Sequence, residues 1–205
     1  VSNIMSESIP AGLVEYLNGA TDRRLSSWAW NLCDWGRRTQ LLAVLAVAEA
    51  SLSVWERGVP DDPNWPLAPD ETAAACKGLS TLRDWLRSSD ESLLDTLYSQ
   101  AVEHSRSFRV VEFHADEAPG PGELVRQRER CMWAGAAIAW AFSAALWTDE
   151  DAPRSPEEAE QRAMIAAGPA QRVSDAVVAF RSCFREKSEA EVRALVRSGI
   201  LEPRL

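Results

Sequence analysis

The sequence predicts an all-α protein, a single bundle of about seven or eight helices around a central Ala- and Trp-rich helix. Three observations lead there. Ala, the best helix former, occurs 31 times against 26 for Val, Ile and Thr together. The eleven prolines fall between segments of helical periodicity, as they must when Pro lacks the N–H and clashes with the preceding turn. No segment alternates apolar and polar residues as a half-buried strand does. With 205 residues and 46% hydrophobic content the chain has material for a sizeable core. Residues 1–9 read as a flexible N-terminus or tag remnant, and 10–205 as a single all-helical domain.

Taken in order, a short helix over 10–17 ends at Asn18 and Gly19, and the next opens at Thr21 or Asp22. That second helix stripes Leu25, Trp28, Ala29, Leu32 and Trp35 on one face, and Gly36 breaks it. Residues 39–57 are apolar nearly all round, which predicts a buried helix. The connection 59–68 is irregular and stiffened by its prolines. Helices follow from Ala68 or Asp70 to Ser88, and from Asp90 towards Phe113. After a Gly/Pro turn comes the most distinctive one, over 123–147, in which Trp133, Trp140 and Trp147 recur every seven residues. Its uncharged stretch, 131–148, is rich in Ala and Gly and carries its Trp along its length rather than at two interfaces, so it reads as a central buried helix rather than a membrane span. Ser155-Pro156-Glu157-Glu158 opens another helix, stopped at Gly168-Pro169. Val173, Ala176, Val177, Phe180 and Phe184 stripe the next, and Ser188 with Glu191 forms a capping box before the last, which Gly199 ends.

Charge narrows the function classes. The 31 acidic residues outnumber the 22 basic ones, for a net charge of -9, which opposes binding to nucleic acid or anionic lipid and suits a basic protein partner. Arg outnumbers Lys 20 to 2, a composition associated with GC-rich bacterial genomes. The four cysteines are widely spaced with no Cys-x-x-Cys pair, so buried free thiols in a reducing cytoplasm are expected, and no secretory signal is recognisable.

Candidate chemistry is sparse. His114 lies among Glu112, Asp116 and Glu117, but alternation beside a turn, with no second His at i+4, reads as a solvated edge more than a divalent metal site. His104 reads as a hydrogen-bonded histidine at the core edge, and Glu49 as a surface residue. The Trp133, Trp140 and Trp147 repeat reads first as core packing, with an aromatic ligand slot as the competing reading. Trp30 projects away from its helix's apolar stripe and Trp65 sits in the proline-rich connection; each either folds back as a lid or anchors a partner. Acids gather at loops and helix ends as Asp61-Asp62, Asp116-Glu117 and Asp149-Glu150-Asp151, either a solvated face or an acidic rim for a cationic surface. No residue pattern assigns a catalytic, cofactor or metal role. The expected contact residues are therefore Trp30, Trp65, Asp61, Asp62, Asp116, Glu117, Asp149, Glu150 and Asp151.

The run Ala46-Val47-Ala48-Glu49-Ala50, then Val54-Trp55-Glu56-Arg57, Pro60-Asp61-Asp62-Pro63 and the helix from Ala73-Ala74-Ala75 to Trp85 resembles a group of bacterial immunity proteins from polymorphic toxin systems. The Ala-rich helix around Gly135 is similar to theirs, and the resemblance spans 46–147. It departs from the pattern in the inserted Asn64 to Pro69 and in the tail after Trp147. The resemblance implies a non-enzymatic, all-helical inhibitor that neutralises a cognate toxin by direct binding. The alternative is a helical enzyme or small-molecule-binding protein with a pocket beside Trp133 and Trp140, served by His104 or Glu49.

Overall fold

A computed structural model describes residues 9–19, 24–117, 120–147 and 168–203. The expected helix start at Thr21 or Asp22, the helix opening at Ser155, most of the N-terminal stretch and the acids Asp149, Glu150 and Asp151 lie outside the described residues. Those described form an all-α bundle: α1 (Leu13–Gly19), α2 (Leu25–Trp30), α3 (Arg37–Arg57), α4 (Ala73–Ser88), α5 (Ser92–Glu117), α6 (Gly122–Leu146), α7 (Pro169–Cys183) and α8 (Glu189–Leu201). Short 3-10 turns over Asn31–Trp35 and Pro69–Thr72 lead into α3 and α4.

Local chemistry sets the boundaries. Gly36, at φ +86°, adopts a conformation that costs other residues strain, and it separates the Asn31–Trp35 turn from α3. Gly58, at φ +59°, closes α3, and a side chain there would collide with the indole of Trp65 at 2.6 Å. The chain therefore doubles back sharply into the proline-rich loop. Ser188 Oγ accepts from the Glu191 amide at 3.3 Å while the Glu191 carboxylate accepts from the Ser188 amide at 2.7 Å, the expected capping box of α8.

Helix α6 is the hub, packing against α3, α5 and α7. It runs antiparallel to all three. Against α3, Cys131 meets the carbonyl of Val54 and, at the other end, Arg37 donates to the carbonyls of Ala144, Ala145 and Trp147 at 2.9–3.3 Å. Against α5, His104 meets Gly135; against α7, Arg172 meets Ser143, and just beyond its end Arg185 meets Glu129. Arg37 supplies partners and positive charge to the carbonyl end of α6, where helix dipole and unpaired acceptors both favour a cation.

The small residues of α6 face the core more fully than its tryptophans do. Ala134, Gly135, Ala137, Ile138, Ala141 and Ala145 are buried. A Cβ on Gly135 would lie 2.4 Å from the Trp55 ring, so the missing side chain is what lets Trp55 of α3 sink against the α6 backbone. This corrects the core-packing reading for Trp140, which is 36% exposed, while Trp133 is half-buried and packed against the core and Trp147 is half-buried. The large aromatic residues of the interior are Trp28, Trp55, Trp85, Phe142 and Phe180. No helix among the described residues is long and apolar enough to cross a membrane.

Candidate partner-binding site

Asp62 organises one end of the bundle. Expected on an exposed rim, its side chain is instead fully buried. Its Oδ2 accepts from Arg128 Nε at 2.7 Å and from His114 Nε2 at 2.7 Å, and its Oδ1 accepts from the Asn64 amide at 3.0 Å. Arg128 is itself 2% exposed. The Arg128 hydrogen bond, with help from His114 and Asn64, holds the Asp62 carboxyl far below the usual carboxylate range against the opposing effect of burial. The proline-rich loop is thereby fastened to α5 and α6. Trp65 packs edge-on to His114, ring centres 5.9 Å apart, and over Gly58. It is half-buried, a lid rather than a free anchor.

The Asp62–His114 bond brings two of the acidic segments to the same end. Asp61, next to Asp62, and Asp116, two residues from His114, are both exposed there, and Phe113, the neighbour of His114 on α5, is 67% exposed. Glu117 belongs to α5, but its side chain lies outside the described residues. Trp30 is 46% exposed as expected, yet it lies at the opposite end, beside the start of α7 in a shallow polar cleft with Ser27, Asn31 and Gln171. The length of α3 separates the two, about 31 Å at 1.5 Å per residue.

The remaining candidates resolve into structural roles. His104 is buried between Trp55, Phe108 and Phe142, its Nε2–H donating to the Gly135 carbonyl at 3.0 Å. Burial pushes its pKa down to about 4, so the ring is neutral at pH 7, and Nδ1 has no hydrogen-bond partner among the described residues. Glu49, expected at the surface, is half-buried and paired with Arg83, whose Nε lies at 3.1 Å, tying α3 to α4. Among the described residues no three of His, Cys, Asp and Glu converge as a metal site. Cys131 and Cys183 are buried and Cys33 is half-buried, while Cys76 is exposed, against expectation. Burial pushes the Cys131 thiol up to about 12 and the Cys183 thiol to about 11, which keeps both protonated and unreactive.

One further feature is a groove of about 490 Å³ between α5 and α6. Trp133 and Trp140 line it with Phe108, and Arg109 and Glu112 stand on the α5 wall. The heptad spacing of the tryptophans foretold a shared face; nothing in it foretold that α5 would supply the opposite wall. No family model, curated protein or solved structure matches the chain.

Proposed function

We propose that this chain is a non-enzymatic binding protein of the cytoplasm that neutralises a basic partner by direct contact, as the immunity and antitoxin factors resembled by its central segment do. The observation that carries the reading is the clamped end of the bundle. There Asp61, Asp116 and Phe113 stand exposed on backbone that the buried Asp62–Arg128–His114 cluster fixes in place. A rigid surface offering exposed carboxylates and an exposed aromatic side chain loses little entropy on binding and attracts a cationic face. Trp30 lies outside this contact, because a standard interface covers about 800 Å² per partner and fills one end of the bundle rather than both.

The test is to express the chain with the product of the neighbouring gene, measure growth protection, and titrate the purified pair. Asp61→Lys with Asp116→Lys is expected to weaken the complex at least tenfold at low salt, with the deficit shrinking as salt screens the charges. Failure to protect cells from any neighbouring toxin sinks the proposal.

A further inference from the structure

We propose that the groove between α5 and α6 binds a small aromatic zwitterion, one planar ring carrying a carboxylate and an ammonium group. The site adjoins the partner contact proposed above on α5, and the inference does not depend on that contact.

Size and lining come first. At about 490 Å³ the groove falls within the usual range of small-ligand sites, roughly 300–1,000 Å³. Trp133 and Trp140 stand two helical turns apart, about 10.5 Å along the axis, with Ala136 on the turn between them. A small residue between two indoles leaves a depression with aromatic walls at both ends, and Phe108 closes it from the α5 side. Water gains little by filling such a space. A flat ring buries its faces against the aromatic walls, which favour offset or edge-on contacts.

Charge then selects the ligand. Arg109 and Glu112 lie three residues apart on α5, on one side of the helix, and both line the groove. Both are exposed, and neither forms an ion pair among the described residues. A neutral aromatic molecule leaves both unused. An aromatic anion meets Arg109 but is repelled by Glu112, and an aromatic amine meets the reverse. A zwitterion places its carboxylate on the guanidinium and its ammonium on the Glu112 carboxylate, while its ring lies against the tryptophans.

The probes are L-phenylalanine, 3-phenylpropionate and phenylethylamine, titrated by calorimetry and ligand-observed NMR against the full chain. Saturable binding of phenylalanine is expected, with each single-charge analogue at least about tenfold weaker. Trp140→Ala and Arg109→Ala each weaken phenylalanine at least about tenfold. Both residues are exposed, and unchanged circular dichroism and melting verify the fold. The proposal is overturned by absence of saturable binding up to about 10 mM, by equal affinity of the three probes, or by indifference to both variants. It is overturned as well if Trp140→Ala weakens a protein complex while phenylalanine does not bind, since the groove then receives a partner's side chains.

Discussion

Asp62 accepts three hydrogen bonds inside the protein, two of them from side chains on α5 and α6, while its own backbone belongs to the loop after α3. Removing the carboxylate leaves Arg128 buried without the anion it faces, so Asp62→Ala is expected to cost about 3–5 kcal/mol in urea unfolding. Asp61→Ala, one residue away and exposed, is expected to change stability by less than about 0.5 kcal/mol. The pair was indistinguishable in the sequence, because what separates them is an arginine 66 residues further on. His104 sets a second residue-scale expectation. Its folded pKa of about 4 lies below its ordinary 6.5, so the unfolded chain binds the extra proton between those values. Stability from the neutral ring is complete above about pH 6.5 and lost as pH falls towards 4; at pH 4.5 the loss is about 2–3 kcal/mol. Comparing urea midpoints at pH 7 and 4.5 checks this, with His104→Phe narrowing the difference. Asp62 acts in the same direction at lower pH, its contribution present above the ordinary carboxylate range and lost as pH falls through and below it.

At the scale of elements, helix α6 shows what periodicity encodes and what it does not. Its extent, its central place and the common face of its tryptophans followed from spacing and proline positions. The direction of that face did not, since a heptad of large residues is compatible with core or surface. The decision lies with Gly135 and its alanine neighbours, which admit Trp55 where no side chain fits. Gly135→Ala therefore separates two effects of opposite sign. Helix propensity alone gains about 1 kcal/mol, whereas overpacking against Trp55 costs about 1–3 kcal/mol. Net destabilisation in thermal or urea unfolding is the expected result. The break before α3 was similarly legible through Gly36, and the α8 cap through Ser188 and Glu191, because each is a local rule. Trp65 was not, because its cover over Gly58 depends on how a proline-rich loop turns in space.

For the whole molecule, the net charge of -9 is an average over regions of different character. Asp61 and Asp116 stand exposed at the clamped end, and the basic residues Arg181, Arg185, Lys187, Arg193 and Arg197 cluster in the chain on α7, α8 and their junction, where Arg185 pairs with Glu129, the neighbour of Arg128, at 3.1 Å. Complex formation through Asp61 and Asp116 should depend on salt more steeply than folding does, and comparing complex affinity with the urea midpoint across a salt series measures the two separately. The candidate groove joins α5 and α6, consecutive helices whose connection includes the Gly120 and Pro121 visible in the sequence. The clamped end instead joins segments from three parts of the chain, which explains why its logic emerged only in three dimensions.

The antiparallel pairing of α3 with α6 has a consequence for biosynthesis. Sixty-four residues separate the end of α3 from the start of α6, an interval of roughly 3–13 s of translation. Throughout that time Leu41, Val44 and Trp55, all destined for the interior, leave the ribosome without the helix that covers them. A fragment ending at Pro121 is expected to remain unfolded by circular dichroism and to be captured by chaperones. Adding residues 122–203 restores the hub, so productive folding waits until the middle of the chain has been made and its later helices can close over it.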